Sequence, residues 1–312
     1  MLRSSGNMVV PSVMSVVMMS LDVVFNFFLI FPTRPVELFG TQIMMPGMGM
    51  GVVGAAIGTV SAELVAASIT MYILCFRSKE LSLRIDTGRF LPTWGVVKRA
   101  LHISLPMGLQ QTIMCSAYVM TTIIIAPLGT FAIAANSFGI IIESLCYMPG
   151  YGIADAATTL VGQSMGAGRH ELMKRFAWLS VGLGVTVMAV MGVVMYVGAP
   201  TAMAMMTPAE EVRRLGVEVL RIEAFAEPMF AAAIVSYGVF VGAAKTLVPS
   251  IMNLVSIWGV RISLAAMLAP SMGLRGVWIA MCIELCFRGI IFLVKLKFWN
   301  IQTSCKYYGK NQ

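Results

Sequence analysis

Runs of twenty or more apolar residues recur along this chain and restrict what it can fold into. The first, "MVVPSVMSVVMMSLDVVFNFFLIF" (8–31), holds a single charged residue. At 1.5 Å of helix per residue, about 20 such residues cross the ~30 Å hydrocarbon layer of a bilayer. Seven more runs follow, near 50–76, 101–127, 131–155, 176–199, 217–243, 247–269 and 273–298. The pattern predicts an all-α polytopic membrane protein with about eight transmembrane helices. Composition agrees: 58% of residues are hydrophobic and 12% charged, too much apolar surface for a soluble domain to bury.

The connectors set the orientation. With the amino terminus inside, the inner segments carry Arg3, Arg77, Lys79, Arg84, Arg89, Lys98, Arg99, Arg169, Lys174, Arg175, Lys245, Lys295, Lys297, Lys306 and Lys310. The outer segments carry Arg34, Arg213, Arg214 and Arg275, the middle two beside Glu210 and Glu211. That split is a strong positive-inside signal and puts both termini in the cytoplasm. The net charge of +8 is therefore loop charge, and nucleic acid is not an expected partner. No A-x-A-like site follows "MLRSSGN", so a cleaved leader is not expected. The longest polar connector, 77–100, reads as a linker between two bundles, with 299–312 as a cytoplasmic tail.

An internal repeat organises the spans. "GNMVVPSVMSVV" (6–17) aligns with "AKTLVPSIMNLV" (244–255), setting Pro11 on Pro249. "MGVVGAAIGTVSAE" (50–63) aligns with "MGLRGVWIAMCIE" (272–284), setting Gly51 on Gly273 and Gly54 on Gly276 and, with one residue of slip, Glu63 on Glu284. Both copies start from the same side, so two lobes are related by an axis along the membrane normal.

Ionisable residues inside spans cost about 2.5–3.5 kcal/mol at mid-helix and are functional candidates. Asp22 lies about 16 Å along a helix from Pro11, near the midplane, with Asn26 one turn on along the same face. Glu63, Glu143, Glu227, Glu284 and Arg261 are the other candidates, and Arg261 falls one position past Val260, the repeat equivalent of Asp22. Ion pairing within a lobe is the competing structural role, as for Arg288 with Glu284 at i,i+4. The 27 methionines fit either a pliable cavity lining or ordinary core filling. Pro106, Pro127, Pro149 and Pro228 are candidate bends. The six cysteines (75, 115, 146, 282, 286, 305) complete no zinc spacing and read as small buried hydrophobes. "GVFVGAAKT" lacks phosphate-loop spacing, and no nucleophile–base pair appears, so neither an enzyme nor a resident cofactor is expected.

Four runs carry a family resemblance: "LRSSGNMVVPS" (2–12), "MGVVGAAIGT" (50–59), "LVGQSMGAGR" (160–169) and "GVFVGAAKTLVPS" (238–250). They resemble the multidrug and toxic compound extrusion (MATE) antiporters, which have twelve helices in two six-helix lobes. The resemblance implies that residues 1–76 are the last helix pair of the amino-terminal lobe and 101–298 a complete carboxy-terminal lobe. The first four helices are then lacking, and the complete chain needs them. It implies that Gly162, Gln163, Gly166, Ala167, Gly168 and Arg169 form a cytoplasmic turn between the second and third helices of that lobe. One branch of the family binds its coupling cation with an Asn-x-x-x-Asp pair and a Thr on the next helix. Here the order is reversed, Asp22-x-x-x-Asn26, with Thr59 matching the threonine. Another branch uses a Glu on the seventh helix and an Asp on the tenth. This chain has Gln110 and Gln111 on the first and Glu223 and Glu227 on the second. The implied function is export of organic, cationic or amphipathic compounds across the cytoplasmic (inner) membrane in exchange for Na⁺ or H⁺. The implied partners are small organic substrates and membrane lipids. A lipid-linked sugar flippase of the same superfamily and a truncated, non-transporting remnant are the alternatives.

Overall fold

The structure, a computed structural model, describes residues 9–38, 41–77 and 93–299. They form two compact units, residues 9–77 as far as described and residues 93–299.

The first unit is a helix pair. Helix α1 (Val9–Ile30) and α2 (Gly51–Tyr72) pack together, and a π-helical turn (Ile73–Arg77) follows α2. Gly54, Gly58, Ala62 and Ala66, four residues apart, are the buried positions of α2. Such a small-residue stripe lets helix backbones meet where lipid supplies no hydrophobic drive. A Cβ on Gly54 would clash with the Leu29 carbonyl oxygen, and one on Gly58 with the Asn26 side chain. Between these helices lies a two-stranded antiparallel hairpin, β1 (Pro32–Leu38) with β2 (Thr41–Met48).

The second unit contains α3 (Trp94–Ile125), α4 (Thr130–Gly166), α5 (His170–Met206), α6 (Glu210–Ala224) and α7 (Glu227–Gly242). It continues with α8 (Leu247–Val255), a π-helical segment (Ser256–Ile262), α9 (Ser263–Met272) and α10 (Leu274–Lys297). Four helix ends lie outside the apolar runs. Helix α3 starts at Trp94 rather than 101, α4 runs to Gly166 rather than 155, and α5 covers 170–206 rather than 176–199. Apolar content marks the part of a helix inside the bilayer. Once nucleated, a helix propagates past that border until a turn stops it.

The expected single span at 217–243 is two helices bent by 58°. Pro228, in the first turn of α7, has no N–H to bond back to the Ala224 carbonyl, so α6 does not continue through it. Pro106 and Pro149 lie within unbroken α3 and α4. Among the described residues, seven helices are long and apolar enough to span a membrane, and the bent pair makes an eighth.

Helix α7 packs against α4, α5 and α10. It approaches α4 backbone to backbone. A Cβ on Gly238 would stand 2.6 Å from the Ala154 carbonyl oxygen, and Thr158 Oγ1 lies 2.9 Å from Ala154 O and 2.8 Å from Gly238 O. Met173, Met188, Met195 and Met203 are buried in the apolar core, so these four methionines are filling.

Candidate functional site

The segment 162–169 ends α4 with a Schellman turn. Gly168 is left-handed (φ 69°), Arg169 N donates to Ser164 O at 3.0 Å, and Gly168 N donates to Met165 O at 3.0 Å. These bonds satisfy carbonyls that a helix end leaves bare. Ala167 N donates to the Gln163 oxygen at 3.0 Å. The turn after α7 repeats the arrangement: Lys245 N donates to Phe240 O, and Ala244 N to Val241 O, both at 2.9 Å. There Ala244 takes the left-handed position (φ 54°) that glycine fills in the first turn. Gly162 lies beside the Gly242 carbonyl oxygen, 3.3 Å from where its Cβ would stand.

In the first unit, Asn26 Nδ2 donates to Asp22 Oδ1 at 3.1 Å. Both residues are half-buried, and Asn26 Oδ1 is buried without a hydrogen-bond partner. Thr59 does not join them. Gly58 meets Asn26, and the next residue of a helix points about 100° away, leaving Thr59 exposed. Glu63 is exposed as well. The arrangement is a carboxylate–amide pair on one helix, with a free amide oxygen toward α2.

In the second unit the acids are buried. Glu143 of α4 is 7% exposed, Glu223 and Glu227 1% each, and Glu284 not at all. Glu223 closes α6 and Glu227 opens α7, so they flank the bend, where Ala226 N donates to Glu223 O at 2.8 Å. All four carboxyl oxygens of this pair lack hydrogen-bond partners. Glu284 accepts from Ser256 Oγ at 2.6 Å and has Arg288 Nε at 3.1 Å. That N–H is not aimed at the oxygen, so the contact is a charge pair rather than a directed hydrogen bond. Arg288 also sits 5.4 Å from the Phe230 ring centre. Arg261, on the π-helical segment, donates to the Met281 sulfur and leaves Nε unpartnered.

These groups share one electrostatic neighbourhood. Arg261 and Arg288 act on Glu143, while Glu143, Arg261, Glu227 and Glu284 act on Glu223. Four buried acids and two guanidinium groups thus lie on α4, the α6–α7 bend, the π-helical segment and α10, with Glu284 and Arg288 in direct contact. Gln110 accepts from Tyr237 at 3.1 Å, tying α3 to α7. Ser256 and the π-helical segment carried no recognisable signal in the sequence. Glu223 and the bend had one, in Glu227 followed by Pro228. No group of three or more metal-ligating His, Cys, Asp or Glu side chains occurs among the described residues.

Comparisons with known proteins fit this architecture. The chain is 28% identical over 250 residues to a probable multidrug resistance protein NorM of Thermotoga maritima, covering 78% of this chain and 53% of that one. It is 28% identical over 238 residues to the protein of the same description from Xylella fastidiosa, covering 75% and 50% respectively. It thus spans about half the length of these relatives. A crystal structure of a mutant Vibrio cholerae MATE transporter, VcmN, superposes with a TM-score of 0.82 at 18% identity, covering 95% of this chain and 63% of that one. The MatE family profile matches residues 106–267, which include α4 with its Schellman turn, the bend and Arg261. This multi-pass membrane chain belongs to the MatE family.

Proposed function

We propose that this chain carries part of an ion-coupled antiporter that exports organic, cationic or amphipathic compounds across the cytoplasmic membrane in exchange for Na⁺ or H⁺. The observation that carries the coupling role is the Asp22–Asn26 pair. Asn26 fixes one oxygen of the carboxylate, and its own oxygen lacks a hydrogen-bond partner. Oxygen ligands of this kind suit a hard cation, and a proton on Asp22 removes the same unit of charge. Loading changes the local charge by one. That shifts the helix pair toward whichever packing tolerates the change, the form of bias that alternating access needs. The buried acids of the second unit, Glu143 and Glu227 above all, are a second coupling or cavity site. They outnumber Arg261 and Arg288, an excess of acid that favours cationic solutes. Both termini lie on the cytoplasmic side in this reading.

Ethidium efflux from energised cells is the test, with the chain expressed alone and together with any coding sequence upstream of it. Efflux that depends on a Na⁺ or H⁺ gradient and is lost in Asp22→Asn supports the proposal. Gradient-driven efflux that survives Asp22→Asn but not Glu227→Gln moves coupling to the second unit. Absence of efflux from forms that reach the membrane rejects drug export and favours a lipid-linked sugar as cargo.

A further inference from the structure

One end of the second unit carries a group of cations. Arg169, Lys174, Lys245 and Lys295 lie on the turns and helix ends where α4, α7 and α10 finish and α5 and α8 begin. At this end Phe240, Lys245, Val248, Pro249, Lys295, Phe298 and Trp299 line a pocket of about 260 Å³. That is below the ~300 Å³ at which drug-sized ligands begin to fit. The Schellman turn after α7 aims Lys245 across the pocket, with its Nζ 5.9 Å from the Trp299 ring centre. Phe240 supports the same indole from beneath, their ring centres 5.1 Å apart.

Three features define the ligand chemistry. Burial lowers the Lys245 pKa, and the Lys295 charge lowers it further, so two ammonium groups are held near one another. Trp299 Nε1 is a buried donor with no hydrogen-bond partner. Leu247, Val248, Ile251 and Phe298 around the mouth are exposed apolar residues at the end of membrane-spanning helices. Two cations and an orphan N–H call for an anion with several oxygens, and the apolar rim calls for hydrocarbon attached to it.

We infer that this pocket is a headgroup site for an anionic phospholipid, with the phosphate between Lys245 and Lys295, Trp299 Nε1 donating to it, and the acyl chains along α8. Basic pockets between helix ends are a recurrent lipid-binding form. The pocket shares no residue with the buried acids of the second unit, so it bears on membrane seating rather than on cation exchange.

Native mass spectrometry of the whole chain, titrated with phosphatidylglycerol against phosphatidylcholine, tests this. Wild type should hold phosphatidylglycerol preferentially, and Lys245→Gln with Lys295→Gln should weaken it roughly thirtyfold, about fivefold for each cation near a membrane surface. Lys245→Arg with Lys295→Arg should restore binding, which separates loss of charge from loss of fold. Trp299→Phe, which keeps the ring and removes the N–H, should weaken binding several-fold. Lys174→Gln, outside the pocket, should leave it unchanged. Equal retention of phosphatidylglycerol by wild type and the double glutamine variant overturns the proposal. Full displacement by millimolar inorganic phosphate overturns the lipid assignment and leaves a free-phosphate site.

Discussion

Replacing Arg288 with methionine isolates what the buried charge pair contributes. Arg288 stands 3.1 Å from Glu284, covers the Phe230 ring at 5.4 Å and acts on Glu143. Glu284 is fully buried, with Ser256 on one oxygen and nothing on the other. Without Arg288, a carboxylate with one hydroxyl partner stays in the core, and breaking a buried pair from one side costs about 3–5 kcal/mol. The converse change should cost less. Glu284→Gln still accepts from Ser256, and Arg288 keeps the Phe230 face, so about 1–3 kcal/mol is expected, the scale of one buried polar group left unsatisfied. In the double variant neither charge is stranded, and its cost should fall below the sum of the two by roughly 0.5–3 kcal/mol.

Unfolding in detergent, followed with a thiol-reactive dye that reports exposure of buried Cys146, measures all three. At about 2–4 °C per kcal/mol for a unit of this size, Arg288→Met should lower the midpoint by roughly 6–20 °C. Glu284→Gln should lower it by less. A Glu284→Gln loss equal to or larger than that of Arg288→Met, or strict additivity in the double variant, would refute the assigned order of partners.

The two Schellman turns give a prediction of opposite signs. Gly168→Ala should cost about 1–2 kcal/mol, the penalty of a Cβ in the left-handed region. Ala244→Gly should gain about 1 kcal/mol, read as midpoint shifts in the same assay. Gly192 of α5 would place a Cβ 2.7 Å from the Ala224 carbonyl oxygen at the bend. Gly192→Val should therefore lower the midpoint, whereas Gly198→Ala, with open space around it, should not. For Lys245, burial and then Lys295 favour the neutral amine. Its reductive methylation, followed by mass spectrometry, should reach half-maximal rate below the ordinary lysine value of about 10.4, and Lys295→Gln should raise that midpoint.

Features governed by local order were readable in the sequence. Apolar run length gave the spans, and the i,i+4 spacing gave Asp22 with Asn26, because one helix turn brings such residues together whatever surrounds them. Proline after Glu227 marked the bend, though not the 58° by which it breaks the span. The acid cluster was a set of separate candidates, since Glu143, Glu227 and Glu284 meet only through the packing of α4, α7 and α10. Helix ends were misplaced because the bilayer border and the end of a helix are set by different physics.

The internal repeat left a more specific trace. Pro11 and Pro249 fix an offset that puts Val260 on Asp22, yet the charged residue is Arg261. Helix α1 runs unbroken from Val9 to Ile30, while its repeat equivalent contains a π-helical segment at Ser256–Ile262. A π turn accommodates one residue more than an α turn, so through this segment, which holds Arg261, the second copy comes to lag the first by one position. Arg261 then occupies the place that Asp22 holds in α1. The one-residue slip in the alignment records this local widening. It sets an arginine beside the buried acids of the second unit at the position where the first unit carries its acid, so the two copies bear opposite charges at equivalent sites. Under the proposed coupling role of Asp22, the matching position of the second unit holds a guanidinium rather than a carboxylate, so the two copies do not repeat one coupling chemistry.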